Sequence, residues 1–377
     1  MSYVKHLVIG ILALAALGAG INVAVDPFDI FGMPRIEGFN THKSIGTERF
    51  SKPLQAVERR PKTIILGSSR CLHGIDPRDA PGQPAYNLSV AGALADELTA
   101  FARHAANATT AKTLILCLDF ASFNDARTRR QGFYDDALGP HGWVKSLPQT
   151  VFSYAALKRS RDTLRRSLRG KRMVYRRDGF REFEPRAGRD EGRMITPVAS
   201  FLSPGGGYRD FPGVDAKLAE LAAVLKDIPD MDIQMTALIP PVHAVQLEAI
   251  DEAGLWPIFE HWKRAIAEIC DATQHMCWDF ATYSPVSAVS IAATDSFGDS
   301  SHFTPRIGKM IFDRINDPAT AVAPFGTLLK RNTIEDHLKA VREARDRYRR
   351  TYPEDVEAVR NIAITYRLRK PDGRSAN

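Results

Sequence analysis

Two short stretches of the sequence contain residue types suited to nucleophilic chemistry. The first is Gly67-Ser68-Ser69-Arg70, a turn that directly follows the apolar run Thr63–Leu66. A serine there lies at the carboxyl end of a strand, with its own N–H directed at a developing oxyanion. The second is Asp299-Ser300-Ser301-His302-Phe303, in which the aspartate can orient the imidazole and the imidazole can deprotonate a serine. Each motif is common alone, so their order and placement matter more than either one.

Three other side chains near predicted strand ends are weaker candidates. His243 ends the turn Pro240-Pro241-Val242-His243 and either faces a ligand pocket or is a structural histidine. Arg70 either binds an anionic substrate or pairs with an acidic side chain. Cys71 lies two residues beyond Ser69. We expect it to point into the flank of a helix or strand instead of acting as a thiol nucleophile.

The elements that would position these residues follow from the hydrophobic pattern. Continuous apolar runs bounded by polar turns are typical of strands buried on both faces, and they occur at 63–66, 113–118, 233–239 and 276–280. Helical periodicity lies between and after them, at 93–106, 214–226, 255–269 and 305–315. This alternation predicts a three-layer α/β fold with a parallel sheet, in which ligands bind at the carboxyl ends of the strands.

The alternation stops between residues 125 and 212, a stretch too long for a connecting loop, which we interpret as an insertion or a cap over the sheet. Residues 333–350 are highly charged, with apolar residues at helical spacing, and predict an amphipathic helix. We expect the last ten residues to be disordered. The predicted organisation is therefore an amino-terminal segment (1–30), an α/β domain (55–320) and a charged helical appendage with a tail (328–377).

The amino terminus suggests a cellular location. Residues 7–25 form an uncharged run of 19 residues with Lys5 before it and Asp26 and Asp29 after it. A helix of about 20 apolar residues crosses a bilayer, and positive charge stays on the cytoplasmic side. The run predicts a single-pass anchor in a bacterial inner membrane with the bulk of the chain periplasmic or extracellular. A cleaved signal peptide with small residues near 16–20 and a buried core helix are the alternatives.

Composition excludes several classes of protein. The 377 residues are 44% hydrophobic and 25% charged, which excludes a disordered chain, a collagen and a multi-span membrane protein. The net charge of +7 lies in one segment, because residues 158–193 hold 14 basic and 6 acidic residues. This segment either meets anionic lipid headgroups, binds an acidic polysaccharide or is a solvated helix face. No nucleic-acid recognition module is visible in it. The basic residues at the centre of this segment are Arg165, Arg166, Arg169, Lys171 and Arg172.

Four cysteines are too few for a disulfide scaffold, and no Cys-x-x-Cys pair indicates a metal site. Cys270 lies at the end of a helical pattern and Cys277 at the start of an apolar one. In an oxidising compartment they either form a bridge, with Cα atoms closer than roughly 7 Å, or remain two buried thiols. Cys117 lies in an apolar run and is expected in the core.

The placement of these motifs resembles the SGNH/GDSL hydrolase superfamily, over about residues 60–318 without the insertion. The resemblance implies a flavodoxin-like fold, with Ser69 as nucleophile and Asp299 and His302 as acid and base. The family's second block supplies an oxyanion-hole N–H from a glycine, which corresponds to Gly92 in the stretch 86–92. Its third block supplies an asparagine side chain, for which Asn124 is the candidate.

The sequence departs from the family pattern in two places. Ser68 replaces an aspartate that is not the nucleophile, which leaves the chemistry intact. The third block lacks the glycine expected two residues before Asn124, so this donor lies further from the strand end than in the family. Loss of one oxyanion donor costs about 3–4 kcal/mol of transition-state stabilisation.

The amino-terminal apolar run, Asp26-Pro27-Phe28, the Gly-Ser-Ser-Arg turn and the late Asp-x-x-His together resemble anchored, extracytoplasmic SGNH-like proteins of alginate O-acetylation and teichoic-acid D-alanyl transfer. This implies a serine-dependent acyl transferase or esterase acting on a surface polysaccharide or lipid-linked glycan, with an acyl donor and a multi-span membrane acyltransferase as partners. It implies no metal or organic cofactor and no nucleic acid. The alternative is an inactive SGNH-like protein for assembly or polymer binding.

Overall fold

A six-stranded sheet forms the centre of the computed structural model, which describes residues 2–43, 46–130, 132–171, 174–182, 191–228, 232–292, 294–317 and 324–368. The strand order is β2-β1-β3-β4-β5-β8, parallel except for the antiparallel edge strand β8. Two short strands, β6 and β7, form a separate antiparallel pair. The strands are β1 (Thr63–Leu66), β2 (Ala85–Asn87), β3 (Thr113–Cys117), β4 (Gln234–Ile239), β5 (Met276–Asp279), β6 (Phe297–Asp299), β7 (His302–Phe303) and β8 (Thr327–Leu328).

Strand burial explains why the apolar runs are continuous. All four residues of β1 are buried, as are the last four of β3 and the last three of β4. Helices cover both faces of such a sheet, so neither face needs polar residues. The expected mixed α/β architecture with a mostly parallel central sheet is confirmed, and each of the four predicted strands is found.

Thirteen helices accompany the sheet in the described residues. The four helices predicted between and after the strands are present as α4, α8, α10 and α11, each with ends within a few residues of the prediction. The helices are α1 (Ser2–Val25), α2 (Glu48–Arg59), α3 (Ser69–Gly74), α4 (Ala95–Ala108), α5 (Gly142–Val151), α6 (Tyr154–Leu168), α7 (Glu191–Leu202), α8 (Asp215–Asp227), α9 (Ala244–Glu252), α10 (Trp256–Thr273), α11 (Pro305–Asn316), α12 (Ile334–Thr351) and α13 (Pro353–Leu368).

Helix α1 is long and apolar enough to cross a membrane. Its span Tyr3–Val25 has a mean hydropathy of 2.3, and only 11% of its most apolar window is buried in the protein. The core-helix alternative is therefore wrong, because a core helix would bury most of its surface. Only the carboxyl end packs on the folded part, where Asn22 and Val25 are buried.

The described residues of the insertion include three α-helices. Helices α5 and α6 pack against α1, while α7 packs against α9, α13 and β6. Phe201 near the end of α7 packs against Tyr208, with ring centroids 4.7 Å apart. Arg172 of the basic segment and the tail beyond residue 368 lie outside the described residues.

Helix α12 matches the predicted charged helix and is tied to the sheet by a buried ion-pair network. Lys263 Nζ lies 2.6 Å and His337 Nε2 2.8 Å from Asp279 Oδ2, and the side chains of Lys263 and Asp279 are fully buried. Burial opposes ionisation, but Lys263 and His337 together lower the pKa of Asp279. The carboxylate at the end of β5 therefore holds α10 and α12 in place.

Candidate active site

Ser69 is the first residue of α3, directly after β1 and the turn at Gly67 and Ser68. The Ser68 side chain caps this helix by accepting a hydrogen bond from Arg70 N at 3.3 Å, as serine does at helix starts. Amides in the first turn of a helix have no intrahelical acceptor. The Ser69 N–H is thus available at the carboxyl edge of the sheet, and the Ser69 side chain is half-buried.

The Asp299–His302 loop meets Ser69 across 233 residues of sequence. His302 Nε2 lies 2.8 Å from Ser69 Oγ. His302 Nδ1 lies 2.9 Å from each Asp299 carboxylate oxygen. The carboxylate also accepts hydrogen bonds from Ser301 N at 2.8 Å and His302 N at 3.0 Å, which fix its orientation. The three side chains expected from the sequence therefore form a continuous hydrogen-bonded chain, with the geometry that a serine nucleophile, a base and an orienting acid require.

The electrostatic environment of the hydrogen-bonded series Ser69–His302–Asp299 favours an ionised Asp299. Burial raises its pKa, but the hydrogen bond and charge of His302 outweigh this effect and lower the pKa overall. The carboxylate is therefore ionised at neutral pH and accepts the Nδ1–H of His302, which leaves Nε2 free to take a proton.

His73 contacts the base directly and was missed as a site residue by sequence reasoning. Its ring packs edge-on against the His302 ring, with centroids 5.7 Å apart. Burial, followed by the positive charges of His302 and Arg181, lowers the pKa of His73 to about 3. His73 therefore stays neutral at physiological pH and adds no second positive charge beside His302.

Arg70 pairs with an acidic side chain, which is one of the two alternatives that the sequence leaves open for it. Its guanidinium is buried in an ion pair with Asp119, and Nε donates to Ser301 O at 3.2 Å. Burial opposes the charge, but Asp119 raises the pKa of Arg70. The residue after the nucleophile is thus hydrogen-bonded to the loop that contains the base. Arg70 therefore links the start of α3, which contains Ser69, to the loop that contains Asp299 and His302.

Gly92 lies in a loop that runs beside the nucleophile turn. Val90 N donates to Gly67 O at 3.0 Å, which aligns the segment after β2 with the residues before Ser69. Gly92 has a φ of 59°, which favours glycine. Arg49 Nη2 binds the Ala91 and Gly92 carbonyls at 3.0 and 3.2 Å. Among the described residues the Gly92 N–H has no protein acceptor, as an oxyanion donor requires.

The Asn124 side chain is engaged in hydrogen bonds within the protein, and not in the oxyanion role expected from the sequence. Its Nδ2 donates to Arg209 O at 3.1 Å, and its Oδ1 accepts from Ala126 N at 3.0 Å. The side chain is buried and stabilises the start of the insertion. No contact in the described part of the chain links it to Ser69, so the oxyanion role expected for Asn124 gains no support.

His243 is buried and hydrogen-bonded, which agrees with the structural alternative stated for it from the sequence. The residue is fully buried at the start of α9, and its Nδ1 accepts from Val245 N at 3.4 Å. Burial lowers its pKa to about 4. Its backbone N–H donates to Ser300 O at 3.0 Å, and Gln246 Nε2 donates to Ser300 Oγ at 3.0 Å. Both residues therefore position the loop that contains Asp299 and His302.

Two disulfides are present, and only one was anticipated. Cys270 and Cys277 are bonded with Cα atoms 6.2 Å apart, which confirms the bridge over the free-thiol alternative. Cys71 is bonded to Cys117, which joins α3 to the end of β3. A Cβ built on Gly67 would lie 2.8 Å from Cys117 Cβ and 2.9 Å from Cys71 Cβ, so only glycine fits at the turn. The second disulfide therefore packs directly beneath the nucleophile turn.

No group of three or more His, Cys, Asp or Glu side chains within the described residues is arranged to hold a metal ion. Comparison of the chain with protein-family models, with curated proteins and with solved structures finds no match.

Proposed function

We propose that the protein is a serine-dependent acyl transferase or esterase acting on a cell-surface polysaccharide or a lipid-linked glycan. The main support is the continuous hydrogen-bonded chain from Ser69 Oγ through His302 to Asp299. Formation of a covalent adduct on Ser69 with a fluorophosphonate probe, located by peptide mass spectrometry, tests this proposal.

The first half-reaction would form an acyl ester on the protein. His302 Nε2 takes the proton as Ser69 Oγ attacks the acyl carbonyl carbon. The N–H groups of Ser69 and Gly92 would stabilise the resulting oxyanion. Collapse of the tetrahedral intermediate breaks the bond to the donor, and the proton on His302 passes to the leaving oxygen.

The second half-reaction would remove the acyl group from Ser69. A hydroxyl of the acceptor glycan, or water, loses its proton to His302 and attacks the ester carbonyl. The Ser69 oxygen leaves and recovers the proton from His302. A sugar hydroxyl as acceptor makes the protein a transferase, and water makes it an esterase.

The strand order and the placement of the three residues support an SGNH-type, flavodoxin-like fold for the domain. Five parallel strands lie in the order β2-β1-β3-β4-β5, with the serine after β1 and the Asp-x-x-His segment before α11. A non-catalytic protein for assembly or polymer binding is the second candidate, favoured by one observation: Asn124 is engaged in the insertion and not at the expected third donor position.

The packing of α1 supports a retained membrane anchor. Residues such as Leu14 expose 71% of their surface, which suits lipid and not water. Asn22 binds Val151 O and the Ser160 hydroxyl, each at 2.8 Å. A helix from residue 3 to residue 20 is about 27 Å long, so Asn22 would lie at the bilayer surface. The exposed rings of Phe152 and Tyr154 lie beside that contact, as aromatic residues do at membrane interfaces.

Anchoring gives a direct prediction. The intact chain should stay in the membrane fraction after washes with high salt and with carbonate, because an apolar helix of this length partitions into lipid. A periplasmic reporter fused after Asn377 should be active, since Lys5 favours a cytoplasmic amino terminus. Recovery of a shortened chain in the soluble fraction would instead establish the signal-peptide alternative.

A second prediction concerns Arg70 as a positioning residue. Arg70→Lys keeps the charge near Asp119 but removes the Nε donor to Ser301 O. Small misplacement of reacting groups costs up to roughly 100-fold in rate, so we expect probe labelling to slow by about 10- to 100-fold. Far-ultraviolet circular dichroism should be unchanged. An unaltered labelling rate would show that the contact does not position His302.

A further inference from the structure

A cleft of about 270 Å³ lies between the segment after Asn124 and the glycine-rich turn of the insertion. Arg127, Arg130 and Phe201 line it together with the turn 203–207. A Cβ on Gly206 would lie 2.3 Å from Ser200 O, so the turn fits only without a side chain there. The cleft is therefore lined by two guanidinium groups and by backbone atoms of the turn that no side chain covers at Gly206.

The two guanidinium groups lack carboxylate partners. Neither guanidinium forms an ion pair with any described residue, and among those residues the Arg127 guanidinium donates a hydrogen bond only to Gly205 O, at 3.5 Å. Burial, followed by the charge of Arg130, lowers the pKa of Arg127. Neighbouring acids are already engaged: Arg129 pairs with Asp96, and Arg49 binds Glu97 at 2.8 Å. The cleft thus holds two positive charges near each other that an anion would stabilise.

The cleft borders the candidate active site on two sides. Arg130 Cζ would lie 2.9 Å from a Cβ on Gly92, so the guanidinium packs against the loop of the proposed oxyanion donor. The centre of the Phe201 ring lies 5.7 Å from the Cζ of Arg70, which is the residue after Ser69. A group bound in the cleft would therefore lie beside the loop of Gly92 and beside the ring that packs on Arg70, the residue after Ser69.

We propose that this cleft binds an acidic group, carboxylate or phosphate, of the glycan whose acyl group the protein transfers or removes. The proposal rests on the proposed function for the identity of the ligand as substrate. Paired guanidinium groups match the two oxygens of a carboxylate or phosphate. A neutral glycan would leave both charges uncompensated, so the cleft selects acidic polymers.

Direct binding tests the proposal without catalysis. The full chain in nanodiscs of zwitterionic lipid is titrated against fluorescent oligogalacturonate, oligo(glycerol phosphate) and neutral dextran, with fluorescence anisotropy as the readout. We expect one acidic oligomer to bind at least roughly tenfold more tightly than dextran, and the preferred one identifies the acidic group. Hydrogen bonds to charged groups are worth roughly tenfold each in affinity, so R127Q/R130Q should bind about 100-fold more weakly.

Arg103→Gln is the matched control, because Arg103 is an exposed arginine on α4 that pairs with Asp227 outside the cleft. It should bind as the wild type does, and so should Ser69→Ala. Wild-type affinity in R127Q/R130Q with an unchanged melting temperature would overturn the proposal, as would equal binding of dextran. A protein that fails to react with the probe but loses acidic-oligomer binding in R127Q/R130Q would refute the acyl-transfer function and leave the cleft established.

Discussion

Ser69→Ala is expected to abolish labelling of the full chain by a fluorophosphonate probe and to abolish acyl transfer. A serine hydroxyl is a weak nucleophile at neutral pH, and in the proposed reaction Ser69 depends on His302 Nε2, at 2.8 Å, to take its proton. Removing the nucleophile or the base of such a chain costs on the order of 10⁶ in turnover, and removing the acid on the order of 10⁴. His302→Ala should therefore match Ser69→Ala, and Asp299→Asn should retain more activity.

Ser68→Ala is the control one residue away. It removes the same chemical group, but that hydroxyl only caps α3, so we expect a loss of about 1 kcal/mol of stability and little change in labelling. Loss of labelling in Ser68→Ala but not in Ser69→Ala would show that the nucleophile is Ser68. If none of the variants impairs the protein's process in cells, the non-catalytic function is correct.

Removal of the Cys71–Cys117 disulfide is expected to cause a large loss of stability. The bond closes a loop across 46 residues, and the loop entropy it removes from the unfolded chain corresponds to about 4 kcal/mol. The double variant C71A/C117A should lose about this much in urea unfolding of the detergent-solubilised chain, followed by tryptophan fluorescence. Probe labelling should also slow, because Gly67 packs between the two bonded residues.

The other disulfide supplies the matched comparison. Cys270 and Cys277 are equally buried but lie only seven residues apart, so C270A/C277A should lose about 2.5 kcal/mol. Both variants delete the same atoms from buried positions. The difference between their losses of stability and of labelling therefore reports on the length of the closed loop and on the distance of the disulfide from Ser69. Equal losses, or unchanged labelling in C71A/C117A, would contradict this role for the first disulfide.

Local patterns in the sequence predict the sheet and four helices well, and long-range contacts explain what was missed. Strand β1 begins and ends where predicted because apolar burial on both faces leaves a continuous signal. Strand β2 has only three residues, too few for any period to appear. Helix α6 was missed because most of its residues are polar and its buried positions are small residues such as Ala156 and Ser160.

The candidate site shows the same difference between local patterns, which the sequence reveals, and long-range contacts, which it does not. The sequence indicates Ser69 because it follows a buried strand, and Asp299 and His302 because an Asp-x-x-His segment precedes the last predicted helix of the α/β domain. The Arg70–Asp119 pair joins residues 49 apart in sequence, and nothing local distinguishes it from a solvated arginine and a loop acid. The position of Cys71 alone indicates only a buried cysteine, although in a chain proposed to be exported an unpaired thiol is a signal for a partner. His73 gave no signal beyond its closeness to Ser69.

The disulfide beneath Gly67 has a consequence for the timing of activity. The covalent tie between the nucleophile helix and β3 can form only where thiols are oxidised, which is outside the cytoplasm. Under the proposed export, a newly synthesised chain would contain Ser69 and His302 in the cytoplasm without the Cys71–Cys117 bond that joins α3 to β3. Oxidation would then be a maturation step, and acyl esters of the cytoplasm would not meet the finished nucleophile.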